Sequence, residues 1–334
     1  MELGCAQTYE VAFHDRAGAV AVTPVLEPIE LQWGRVLDDT SQAAVTLDGG
    51  CCDDVATVQP WCNDLSVYRD GVLVWQGPVQ TIEADREQIT FMARDVTAWL
   101  ARRTIHTRLD FTPAGRGPAD LAVIAKAIVV DALQPDDPGV LPFLHARTCG
   151  IVGERTYEPD SAYAGDELRE LARTGIDFTT LGHRIIIAGE LSLARLPQLR
   201  NEHFVADLRV VDDGLQAANR AVVVGDGVTG VAEADGACGL LELLVKEDQI
   251  KDKASVEAEA RALVAAGNPT PVIVEVPEGA QLAPEAPVAV TDLVPGAVTS
   301  VANTMTCRTV VADMRLTRLE VTVTATGGEA VKVT

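Results

Sequence analysis

The stretch Leu65-Ser66-Val67-Tyr68-Arg69-Asp70-Gly71-Val72-Leu73-Val74-Trp75-Gln76-Gly77 decides how the rest of the chain is read. Two β-prone runs flank Asp70-Gly71, and Asp-Gly supplies the positive φ angles that a two-residue hairpin turn requires. A tight antiparallel hairpin is predicted, with Tyr68 and Trp75 on its two strands. A second hairpin is read at 81–92 (TIEADREQITFM), where residues 83–87 interrupt two alternating runs. Upstream, 9–14, 19–25, 29–37 and 43–47 read as short strands bounded by Asp, Gly, Pro or Thr. Short strands at this spacing suggest a small barrel or sandwich. The block closes with a short helix capped near Asp95.

The texture changes over 104–197. Pro118-Ala119-Asp120 leads into LAVIAKAIVVDAL, whose apolar spacing suits an amphipathic helix, and 134–140 form a Pro/Asp/Gly loop. A second helix is read in AGDELRELARTG, with Leu168, Leu171 and Ala172 on one face and Gly175 as its stop. The strands IDFTT and HRIIIAG follow. Strand character returns over 203–224 and from 287 onward, separated by a third helix, SVEAEARALVAAGNP, and the strand PVIVEVP. The expected fold is a β-rich α+β multidomain protein with two small β-barrels and two inserted α+β units. Its blocks would be 1–103 (first barrel), 104–197 (α+β), 198–235 with 286–334 (second barrel) and 236–285 (small α+β insertion).

Composition narrows the function. With 334 residues, 47% of them apolar, the chain can build several cores. Its net charge of −22 argues against nonspecific DNA binding, which relies on Lys and Arg displacing counterions from phosphate. Such acidity serves solubility, or a wall past which DNA slides without sticking. No apolar run approaches the roughly 20 residues of a membrane helix. The start, MELGCAQTYE, lacks the pattern of a signal peptide, so assembly in the cytosol is expected. Cysteines at 5, 51, 52, 62, 149, 238 and 307 are odd in number, scattered and without C-x-x-C spacing. They read as buried thiols, since Cys51, Cys52 and Cys62 match no common zinc knuckle.

Candidate chemistry is sparse. VVVGDGVTG at 222–230 fits G-x-G-x-x-G after an apolar strand, which would let a Gly225–Gly230 loop cradle a pyrophosphate at a helix start. The following VAEADGACG makes a poor helix and no βαβ pattern surrounds it, so a Gly-rich hairpin or loop is the preferred reading. The histidines at 14, 106, 145, 183 and 203 have no metal-binding spacing. The doublets Asp38-Asp39, Asp53-Asp54, Asp136-Asp137 and Asp212-Asp213 suit turns, because neighbours on a strand point to opposite faces. No catalytic, cofactor or metal residue is assigned, and no enzyme activity is expected. Aromatic content of 4% disfavours stacking clefts, and tryptophans 33, 61, 75 and 99 are expected in the core of the first barrel.

The phrases WGRVLDDTSQAAVTL, CC, PWCNDLSVYRDGVLVWQGPV and ITFMARDVTAWLARR resemble the N-terminal part of minor tail proteins of siphophages infecting actinobacteria. DELRELARTGIDFTTLGHRIIIAG, the SVEAEARALV helix and LVPGAVTSV are also similar to that family, so the resemblance spans nearly the whole chain. It implies a baseplate or tail hub with two related β-barrels per subunit. As a homotrimer it would offer six similar barrels to a six-fold tail tube and three-fold symmetry to the tip, with Tyr68 and Trp75 of the first hairpin as implied contact residues for a neighbouring subunit or the tube. Implied partners are the distal tail or tail tube protein, the tape-measure protein and other tail-tip proteins, in a virion assembled in the host cytoplasm. Three copies would carry −66, which suits a channel to which DNA does not adhere. The chain ends soon after the second expected barrel, so the wall-degrading domain of some hubs is not expected. The alternatives are a receptor- or glycan-binding minor tail protein and, third, a nucleotide-binding enzyme using the Gly225–Gly230 loop.

Overall fold

The computed structural model describes residues 2–334 except 17–19, 134–142, 190–193, 213, 216, 237–238, 248–252, 269–271, 305–308 and 327. The expected loop at 134–140, the first residue of the expected strand 19–25, Cys238 and Cys307 lie outside the described residues. The elements used below are, in chain order, β1 (Tyr9–Asp15), β2 (Glu30–Val36), β3 (Gln42–Asp48), β4 (Asn63–Arg69), β5 (Val72–Ala84) and β6 (Gln88–Arg94). They continue with α1 (Leu121–Ala132), β7 (Phe143–Ala146), α2 (Ala164–Thr174), β8 (Asp177–Leu181), β9 (Arg184–Ala188) and β10 (Arg220–Gly225). The last are β11 (Thr229–Glu233), β12 (Glu242–Glu247), α3 (Lys253–Gly267), β13 (Ala280–Gln281), β14 (Arg318–Val323) and β15 (Glu329–Val333). The chain is β-rich, with few helices and several sheets. It divides into a larger unit, residues 1–206, 277–300 and 313–334, and a smaller one, 207–276 and 301–312.

The larger unit is built on a nine-stranded sheet in the order β1-β4-β5-β6-β3-β2-β14-β15-β13. The hairpin predicted at 65–77 is its β4–β5 pair, turning at Asp70 (φ 51°) and Gly71 (φ 75°). Register slips between Val67, opposite Trp75, and Tyr68, opposite Leu73. That bulge lets Val74 and Trp75 both turn inward, against strict alternation. Elsewhere alternation holds. Leu31 and Trp33 of β2, Val45 and Leu47 of β3, Ile89 and Phe91 of β6, and Leu319 and Val321 of β14 are each at most 3% exposed. Phe13 of β1 meets Phe91 with ring centroids 4.5 Å apart.

Three expectations are corrected by the pairing. The described sheets do not close into barrels: β1 and β13 are the ends of an open sheet. The last two strands, expected in a second barrel, extend this sheet instead, with β14 pairing antiparallel to β2 from Leu31↔Val323 to Val36↔Arg318. The physical reason is matched alternation, because both strands offer large apolar residues to the same buried face. The expected strand at 19–25 is also not a ladder. It touches β1 through the bridges His14↔Ala21 and Val11↔Leu26. Pro24 has no N–H to donate, and the Phe13 amide donates to the Thr23 hydroxyl at 3.0 Å instead of to a backbone carbonyl.

Within the larger unit, α1 starts at Asp120, whose carboxylate accepts from the Ala122 amide at 2.9 Å. Ile124 and Ile128 of α1, Leu168 and Leu171 of α2, and Ile185 and Ile187 of β9 form one apolar cluster with Val96 and Leu100. Gly175, at φ 129°, ends α2. Strand β9 pairs antiparallel with β8 and parallel with β7. In the smaller unit the sheet runs β11-β10-β12. Its one face packs on α3, where Ala221, Val223, Val256 and Ala260 are fully buried. Among the described residues no helix is long and apolar enough to cross a membrane.

Candidate assembly face

Alternation that buries one face of the large sheet must turn the other outward. Registry aligns that outer face into rows. Arg94 lies opposite Gln42, Met92 opposite Ala44 and Thr90 opposite Thr46. Gln32 lies between Ala44 and Thr322, and Glu320 between Gly34 and Lys332. The face is therefore mostly Gln, Thr and Ala, with charges gathered at particular places.

Where β6, β3, β2 and β14 come together at one end, a cleft of about 320 Å³ opens, lined by Gln32, Gln42, Arg94, Arg169, Arg318 and Glu320 among others. The guanidinium groups of Arg94, Arg169 and Arg318 face two carboxylates, Asp39 and Glu320, there. Arg169 is held by Asp166 at 2.5 Å and Asp39 at 3.6 Å. Arg94 and Arg318 are exposed and form no ion pair among the described residues. The other end of the same strands is acidic. Exposed Glu83 near the end of β5 and exposed Asp85 and Glu87 in the turn before β6 lie there, with exposed Asp48 at the end of β3 and exposed Asp53 and Asp54 after it. The two turns touch, since the Gly49 amide donates to the Glu87 carbonyl at 2.8 Å. Asp85 accepts from the amides of Glu87 and Gln88, which holds its carboxyl below the usual range.

Buried polar groups on the inner side tie the strands behind this face together. Arg35, 6% exposed, donates to the carbonyls of Val74, Leu293 and Val290, and burial pushes its guanidinium down to about 10. Asp95, the predicted cap, accepts from the Ser41 amide at 2.6 Å and the Thr97 amide at 2.9 Å. Burial raises its carboxyl while those donors oppose the rise. At the start of β8, Asp38 accepts from the Phe178 amide at 2.8 Å, and burial pushes its carboxyl up to about 6.

The predicted contact residues separate. Trp75 is 3% exposed, and its indole N–H donates to Ser41 Oγ at 3.3 Å, so within the subunit it is core. Tyr68 is half-buried, and the exposed apolar residues of the hairpin are Val72 and Leu73 at the tip, 51% and 44% exposed. Trp33 is core as expected, whereas Trp61 and Trp99 are half-buried and meet edge-on at 4.8 Å beneath Arg102 and Arg103. The Gly225–Gly230 segment is a hairpin turn between β10 and β11, with the Gly225 amide donating to the Val228 carbonyl and Gly227 at φ 74°. No helix begins there. Gly230 instead lies where any Cβ would strike the Val256 backbone of α3. Cys5, Cys51, Cys52, Cys62 and Cys149 are free thiols, none of them fully buried. Among the described residues no group of three or more His, Cys, Asp or Glu is placed to hold a metal ion.

The polarity of the outer face was not read from sequence. Its signal was present in the acidic 83–87 turn and in Arg94 at the far end of the same strand, but pairing with β14 had to be known before Arg318 could join them.

These features, an open antiparallel sheet extended by C-terminal strands with an α+β segment packed against it, define the class of fold. No family model matches the sequence, and no curated protein matches it in sequence. Solved structures do match in fold. The 43 kDa tail protein of prophage MuSo2 from Shewanella oneidensis superposes with a TM-score of 0.60 at 14% identity, covering 97% of each chain. The tail protein from Neisseria meningitidis MC58 gives 0.60 at 12% identity, covering 98% of this chain and 95% of that one. The E. coli c3393 protein, a type VI secretion system component described as similar to the T4 tail proteins gp27 and gp5, gives 0.52 at 10% identity, covering 93% and 73%. The chain has the fold of these tail proteins from end to end.

Proposed function

We propose that the chain is a structural component of a phage-type tail. It acts as a homotrimeric hub at the tail tip or baseplate that joins the end of the tail tube to the host-contacting tip and lets the genome pass. The observation that carries this reading is the likeness to two tail proteins, one of them from a prophage, over at least 95% of this chain and of each of theirs. The role is architectural, with no cofactor. Its partners are the distal tail or tube protein, the tape-measure protein and other tail-tip proteins. Net charge of −22 supports a component that DNA passes without binding. Immunogold labelling of the particles that carry this chain tests the position. Gold at the tail tip is expected, and gold on the capsid or along the whole tube would overturn the reading.

A further inference from the structure

The large sheet is electrically polar along its strands. Strand β6 alone spans six residue steps from Gln88 to Arg94, about 20 Å at the usual rise. That exceeds the Debye length of about 8 Å at physiological salt, so the two ends act as separate charges on an approaching body. One end carries the exposed carboxylates Asp48, Asp53, Asp54, Glu83, Asp85 and Glu87, with Arg86 the cation among them. The other is the cleft where Arg94 and Arg318 stand exposed with no ion pair among the described residues.

Identical subunits of charge −22 repel one another, so their association needs a place where opposite signs meet. Facing like ends in a two-fold contact would place carboxylates on carboxylates. A head-to-tail contact brings the acidic end of one subunit to the arginine cleft of the next, and a heterologous contact of this kind generates a closed ring when its rotation closes on itself. We infer that the Arg94–Arg318 cleft is the docking site for the acidic 48–54 and 83–87 turns of a second copy of this chain. The contact sets the direction in which the ring closes. This inference rests on the homo-oligomeric hub reading and names the surfaces that would form it.

The full chain is tested by sedimentation or native mass measurement at low and high salt, with melting temperatures checking that each variant folds. The wild type should associate and weaken as salt rises. Arg94→Glu with Arg318→Glu, and separately Asp85→Lys with Glu87→Lys, should each weaken association by at least about tenfold, since two attractive pairs become repulsive. All four substitutions in one chain restore opposite signs and should restore association. An oligomer unchanged by either double substitution would overturn the docking site while leaving the hub reading standing. Loss in both doubles without recovery in the quadruple variant would show that the two ends do not meet each other. A wild type that stays monomeric at every salt and concentration would overturn both the inference and the trimer.

Discussion

The outer face of the large sheet shows solvent Gln32, Gln42, Thr46 and Thr90, while the small sheet shows Val222, Val231 and Leu244 in one row across its three strands. Leu244 is 61% exposed and Val231 48%. Both sheets bury their opposite face, one under large aromatics and aliphatics, the other under α3. The difference lies in what remains. The large sheet meets other bodies by charge and hydrogen bonding, whereas the small sheet leaves an apolar row between Arg220, paired with Glu242, and Lys246. Core size separates them as well, because fully buried Trp33, Phe13 and Phe91 have counterparts no larger than valine in the small cluster.

That contrast can be broken or sharpened by measurement. The largest effect is expected for Trp33→Ala, about 3–5 kcal/mol of destabilisation from a large cavity. Thermal melting should show the loss in the larger unit, and a cost under about 1 kcal/mol would mean that this core is not close-packed. Next comes Gly230→Ala, where the added methyl must displace α3 from β11. About 1–3 kcal/mol is expected, read as faster proteolysis within 207–276 with the larger unit unchanged.

A smaller, pH-dependent effect is expected at Asp38. Its carboxyl is raised to about 6 mainly by burial, with Asp177 adding to the rise and the Phe178 amide and Arg315 opposing it. A raised folded value means that this contribution is fully present below the ordinary range near 3.8 and is lost as pH rises through about 6. Asp38→Asn should therefore flatten the dependence of melting temperature on pH between about 4 and 6. Asparagine tolerates the φ of 62° at this position. Identical pH profiles for the two proteins would refute the assignment. The smallest change is expected for Leu244→Thr, within about 0.5 kcal/mol, as for a residue that nothing covers. A larger drop in melting temperature would show that the apolar row is already buried in the isolated chain.

Much of the local structure was legible because its causes are local. Asp70-Gly71 needs no distant residue to make a turn, Asp95 and Asp120 cap the segments that follow them, and Gly175 ends α2 where a left-handed residue is required. Strands β2, β3 and β6 were visible through period-two alternation. Two features misled. Trp61 and Trp99 read as core residues but lie half-buried under Arg102 and Arg103, and 19–25 reads as a strand until Pro24 breaks the ladder. The candidate face was half legible, since its acidic turn and Arg94 lie within 83–94.

By itself the sequence determined the turns, the caps, the β-rich character and the strong acidity, all of which depend on neighbours in the chain or on sums over it. Only the tertiary structure decided that β14 lies against β2, that the sheet stays open, and that Arg318 joins Arg94 in one cleft. Those outcomes depend on which strands, nearly 300 residues apart in the chain, bury compatible faces against each other. Registry between such distant strands is a property of packing, and no local signal in either strand specifies its partner.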